Sequence, residues 1–225
     1  MKNNTRIGAI LLASFAVLGA DPAHAQFGGL MKKPGSDSGQ TSAAMSIGDW
    51  VKLATEAKGL LDKSSDALAN AVLDKQKLDE INALKKAAAE AKDDKAKKEL
   101  LLKIEAETNA ALKAVDYDQA AANLSKEKNA KKIQNVGNAA YNFVLGVLKD
   151  KELLDTANAV MDGAKSNPMA LKDVGKVKDI VSSISGQMAA MTAITTSLPK
   201  LAKVAKVEMP KAATEPAKDV SSDFS

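Results

Sequence analysis

The chain has 225 residues and a formal net charge of +4, with no Cys, 45% hydrophobic residues and only 3% aromatic ones. Its one His, His24, and its one Arg, Arg6, both fall in the first 25 positions, so beyond them every basic side chain is Lys. That composition excludes Ser-His-Asp and Cys-His nucleophiles from the remainder, together with the His and Cys ligand sets of zinc, copper and haem and the Arg clamp for phosphate.

Residues 1–25 read as a secretory signal peptide. Lys2 and Arg6 supply a positive start, and Ile7 to Leu18 form an apolar run of about 12 residues, too short to span a bilayer. Pro22 then breaks the run, and Ala23 and Ala25 place small residues at −3 and −1 for cleavage ahead of Gln26; cleavage after Ala20 is the second option. The chain is therefore expected to be exported to the periplasm, with passage outside the cell as the alternative. Removing Lys2, Arg6 and Asp21 takes the net charge to +3, which leaves a nearly balanced mature protein.

Residues 26–45 are rich in Gly, Ser and Lys and form a flexible leader. Within it Phe27, Leu30 and Met31, next to Lys32 and Lys33, make a small apolar and basic anchor candidate. A helical domain is expected over 46–207, and the Pro- and charge-bearing end, 208–225, reads as a disordered tail.

The domain opens with a capping box, Ser46-Ile-Gly-Asp49. Trp50, Leu53, Ala54, Ala57, Leu61, Leu68 and Val72 follow at spacings of three, four and seven, the period of a helix with one buried face. Trp50 fits a partly buried anchor at the end of the bundle and is a candidate contact residue. From about 75 to 115 the apolar pattern continues through Leu78, Ile81, Leu84, Leu101, Ile104 and Leu112, and no strong breaker interrupts it. One continuous helix is favoured there over a break near Asp93, with Asp93–Lys97 and Asp94–Lys98 pairs along its exposed face. Asp116 to Gln119 reads as a turn into a short helix ending near Lys126.

The most apolar part of the chain follows, from Ile133 to Leu148, with Gly137 and Gly146 placed for close helix approach. This is the expected central core helix, and Leu153 to Met161 either extend it or form a separate element. Asn167-Pro168 has the form of a helix restart, and the last long helix carries Val174, Val177, Ile184, Met188, Met191 and Ile194 until Pro199. Ala is roughly one residue in five, and no segment sustains two-residue alternation. The fold class is all-α: a bundle of four to six amphipathic helices, with coiled-coil-like packing and no significant β-sheet.

Fragments that suggest chemistry have plainer readings. Ser197-Leu-Pro-Lys200 matches S-x-x-K, but the S-D-N and K-T-G partners of that chemistry are missing. Met161, Met169, Met188 and Met191 could suggest copper thioethers; Met188 and Met191 continue an Ile/Val stripe and read as core. The paired carboxylates Asp93/Asp94 and Asp116/Asp118 lie in Lys-rich or turn settings. No catalytic, cofactor or metal residue is assigned, and nucleic acid is not an expected partner because the Lys residues alternate with acids. The reading is an exported, non-enzymatic structural or interaction module whose partner is another envelope or secreted protein. Peripheral attachment to a membrane surface through Lys-rich amphipathic helices is the alternative.

Overall fold

The computed structural model describes residues 45–165 and 172–220. Among them are seven helices and no strand: α1 (Ile47–Val72), α2 (Lys75–Glu90), α3 (Asp94–Lys113), α4 (Tyr117–Ser125), α5 (Ala130–Ala164), α6 (Val174–Thr195) and α7 (Pro199–Val204). The expected all-α bundle is present, with more helices than four to six because 75–115 divides and Pro199 starts a helix of its own. The signal residues Ala23, Ala25 and Gln26, the anchor candidates Phe27, Leu30 and Met31, and the Asn167-Pro168 restart with Met169 lie outside the described residues.

Short polar side chains set most of the helix starts. Ser46, Asp74, Asp93, Asp116 and Asn129 each accept a hydrogen bond from an otherwise unpaired amide of the first turn. At α1 half of the capping box forms, Asp49 N–H donating to Ser46 Oγ at 3.1 Å, while the Asp49 carboxylate accepts from the Ser46 hydroxyl at 2.7 Å instead of from its backbone amide.

The same chemistry corrects the expected continuous helix from 75 to 115. Ala91 turns to extended backbone (ψ 122), and Asp93 accepts from the Ala96 amide at 2.8 Å, which begins a new helix. Asp93 thus caps α3 rather than pairing with Lys97. The break lets α2 fold back onto α3 as an antiparallel hairpin that buries Ile81 and Ala88. A single 40-residue rod would have left both on an open face.

α5 is the axis of the fold, 35 residues and about 50 Å long at 1.5 Å per residue. It settles the open question over Leu153 to Met161, which extend the central helix. α1 runs antiparallel along it, so that Trp50 meets Leu153 at one end and Leu61 meets Gly146 nearer the middle. Two apolar clusters are strung along this pair. One gathers Leu68, Leu112, Phe143, Ile194, Leu198 and Leu201 from five helices. The other gathers Trp50, Leu53, Leu153, Val160, Val177 and Ile184 from α1, α5 and α6. Each large side chain fully enclosed in these clusters contributes on the order of 2–3 kcal/mol of transfer free energy.

Trp50 is 0% exposed, and its indole N–H lies 3.3 Å from the Leu153 carbonyl and 3.2 Å from Thr156 Oγ1. Read as a partly buried anchor, Trp50 is in fact fully enclosed in the core. Gly137 and Gly146 do mark close approaches. A methyl group at Gly137 would overlap that of Ala205 and lie 2.9 Å from Val207 Cγ2; at Gly146 it would lie 2.6 Å from Leu61 Cγ.

A candidate interaction face on the central helix

Few polar side chains are buried along α5, and two of them, Asn142 and Lys149, share one face. Asn138, Asn142 and Lys149 follow one another at spacings of four and seven, which places them on one stripe, with Tyr141 beside it. Asn142, Tyr141 and Lys149 are all buried, at 3%, 4% and 6% exposure. A buried amide or ammonium left without partners costs about 1–3 kcal/mol or more, so this stripe must be covered by a surface that supplies both donors and acceptors.

An extended backbone is such a surface, and the chain's own C-terminal segment provides it. The expected disordered tail from 208 is instead a strap laid along α5 as far as Val220, the last described residue. It lacks helix or strand pairing of its own, and α5 supplies its partners. Asn142 Nδ2 donates to the Lys218 carbonyl at 2.7 Å, and its Oδ1 accepts from the Lys218 amide at 2.8 Å. Asn138 Nδ2 donates to the Asp219 carbonyl at 2.8 Å, and Lys149 Nζ to the Ala213 carbonyl at 2.5 Å.

Tyr141 adds the contacts that depend on strap side chains. Its hydroxyl lies 3.0 Å from Glu215 Oε2 and 3.3 Å from the Pro216 carbonyl, and Lys218 Nζ stands 4.6 Å from the ring centroid. That last distance is within the range of a cation–π contact. Burial, then the Glu215 carboxylate, pushes the Tyr141 phenol up to about 12, so it stays a donor at neutral pH. Glu215 is held below the usual carboxylate range by the Lys211 amide and by Tyr141. Its Oε1 also accepts from the amides of Lys211 and Ala212, curling the strap into the turn that precedes the Tyr141 contact.

The strap leaves the bundle through a sharp reversal at Lys206, whose φ of 56 is left-handed. Val207 N–H reaches the Ala202 carbonyl at 2.9 Å and Lys206 N–H the Lys203 carbonyl at 3.2 Å, the paired bonds of a Schellman motif. Glycine usually holds this position, and here Lys holds it. Ala205 and Val207 seat against Gly137, which fixes where the strap begins.

A second polar group lies at the waist between the two apolar clusters. Asp150 of α5 is buried, and facing it are Lys58 and Asp62 of α1 and Glu105 of α3. Lys58 Nζ reaches Asp62 Oδ1 at 3.1 Å and Glu105 Oε1 at 3.5 Å, so it bridges those two rather than Asp150. Gln187 of α6 lies near Glu105 and counters a small part of its rise. Burial pushes the Asp150 carboxyl up to about 7 against the pull of Lys58, with Glu105 and Asp62 adding to the rise. Glu105 is raised as well, again first by burial. Lys149, the next residue to Asp150, moves the other way, down to about 8, because burial outweighs Glu152 and Glu56.

The fragments weighed for chemistry are dispersed into structural work. Asp116 caps α4, Asp118 pairs with Lys200 at 2.7 Å, and Met191 is core. Sequence reasoning passed over Asn138, Asn142 and Lys149. Their signal was present as a polar stripe at helical spacing inside the most apolar segment. Comparison with family models, with curated proteins and with solved structures finds no match to this chain.

Proposed function

We propose that this protein is an exported, non-enzymatic interaction module that grips extended polypeptide on the α5 face of its bundle. The observation that carries this reading is the two-sided pairing of the Asn142 amide with the backbone of Lys218. A side chain that satisfies a main-chain donor and acceptor together recognises extended chain as such, as an exposed sheet edge does when it takes up a peptide strand. The lipid-surface alternative draws less support from the bundle: among the described residues, Leu101 is the one large apolar side chain left exposed.

The test is site-specific photocrosslinking in intact cells. A benzophenone amino acid replaces Gln134, exposed on α5 one turn before Asn138, or Lys95, exposed at the far end of the α2–α3 hairpin. The expected result is an adduct from position 134, absent from position 95, whose second component is another exported protein crosslinked through an extended segment. Adducts confined to the chain's own tail, or equal from both positions, would sink the reading.

A further inference from the structure

The strap differs from the rest of the molecule in how it is held. Most of its bonds to α5 use its main chain, while Lys211, Thr214, Pro216, Ala217, Lys218 and Asp219 are exposed. Its apolar seating is small: Pro210 is buried, and Met209 and Val220 pack only partly on the larger cluster. Segments with few buried apolar contacts open at a fraction of the global unfolding free energy. The residues just before it, Ala205 and Val207 against Gly137, are firmly packed. Opening therefore has a defined hinge and leaves the bundle standing.

We infer that residues 208–220 are a cis-acting occupant of a peptide groove, and that the partner docks by an extended segment of the same chemistry, a Glu-Pro-x-Lys strand. This rests on the interaction reading above and names its ligand. Three contacts set the ligand's pattern. A carboxylate must meet the Tyr141 hydroxyl, as Glu215 does, and a lysine must stand over the Tyr141 ring, as Lys218 does. The same lysine position must carry a free N–H and C=O for Asn142, which no proline can supply. Proline at the preceding carboxylate-proline step favours extended backbone and brings a carbonyl to Tyr141.

Tethered to its groove, the strap competes at an effective concentration of about a millimolar, so a free peptide of similar intrinsic affinity is excluded until it exceeds that level. A partner gains access by presenting more than one such segment, or by contacts beyond the strap's footprint.

The experiment uses the full chain and a labelled synthetic peptide with the sequence of residues 208–220, read by fluorescence anisotropy. The double variant Glu215→Ala/Lys218→Ala weakens the strap without altering α5. It is expected to bind the peptide at least about tenfold more tightly than the unaltered protein, as relief from the tethered competitor requires. Adding Asn142→Leu should abolish that binding. Because Asn142→Leu could disturb folding, a second peptide with proline at the Lys218 position is tested on the folded double variant and should fail to bind. Equal binding by unaltered and double-variant protein, or full binding of the proline peptide, overturns the inference. Peptide binding without a cellular adduct at position 134 would leave the groove standing and sink the proposed function. An adduct there that excess peptide does not compete away would do the reverse.

Discussion

The side-chain amide of Asn142 clasps the backbone of Lys218, 76 residues further along the chain, donating at 2.7 Å and accepting at 2.8 Å. Replacing it by Leu keeps the volume and removes both bonds. At about 1 kcal/mol for each hydrogen bond, the expected loss of stability is about 1–2 kcal/mol, since the exposed Lys218 backbone regains water on release. The accompanying signature is faster tryptic cleavage at Lys211 and Lys218 with the bundle still folded. Unchanged cleavage would mean that the strap is held by something other than this clasp.

Gly137 and Gly146 both lie where a methyl group meets a neighbour, yet their substitution by Ala should not be equivalent. At Gly137 the obstacle is the Ala205 methyl, fixed to backbone, whereas at Gly146 it is the end of the Leu61 side chain, which can turn aside. Overpacking costs typically 1–3 kcal/mol, against about 1 kcal/mol gained by removing a helical glycine. Gly137→Ala is expected to lose about 1–2 kcal/mol in urea unfolding and Gly146→Ala less than half of that. Trp50, the single tryptophan and fully enclosed, supplies the fluorescence signal. The opposite ranking would contradict the packing described.

At Lys206 the expectation is a gain. The left-handed conformation at φ 56 disfavours a β-carbon by roughly 1–2 kcal/mol, and glycine's greater freedom when unfolded takes back part of that. Lys206→Gly should raise stability by about 0.5–1 kcal/mol. A loss would mean that the Lys206 side chain contributes more than its backbone costs.

The waist makes stability depend on pH in two opposed ways. The folded pKa of Asp150, about 7, lies above its ordinary 3.8, so the folded state keeps a proton that the unfolded chain releases. Its contribution is full below about pH 4 and is lost as pH rises through 7; Glu105, raised by the same burial, has the same sign. Lys149, lowered from 10.5 to about 8, carries a penalty at lower pH that is relieved as pH rises from 8 to 10.5. The combined contribution thus has a minimum between about pH 7 and 8. Asp150→Asn should gain stability relative to the unaltered protein across pH 5 to 7, by up to about 1.4 kcal/mol for each unit crossed. A stability difference that does not vary over that interval would refute a buried, proton-holding Asp150.

Helix content and some helix starts were legible because they depend on local signals: Ser46 and Asp116 sit at the starts their chemistry marks, whereas Pro199, read as ending the long helix before it, begins one of its own. The break at Asp93 was misread because Asp both caps helices and pairs with Lys at i+4. The choice between these roles depended on whether Ile81 and Ala88 had somewhere to pack. Trp50 was underestimated for a similar reason, since its hydrogen-bond acceptors at Leu153 and Thr156 lie more than 100 residues away. The strap was the least legible part. Its sequence has the Pro, Lys and Ala content of a disordered end, and its order comes from side chains on α5. Asn138, Asn142 and Lys149 announced that something must cover them without saying what.

That dependence has a consequence for how the protein is made. As the chain emerges, the polar stripe of α5 is complete once Lys149 appears, but its cover, residues 213 to 219, arrives more than 60 residues later. Throughout that interval the nascent central helix presents amides and an ammonium without the native backbone that satisfies them. A segment made long after the central helix is thus the one that seals the middle of the fold. A ribosome stalled shortly before residue 208, or a nonsense change there, would yield a chain with nearly all of its helices and an unsealed central face.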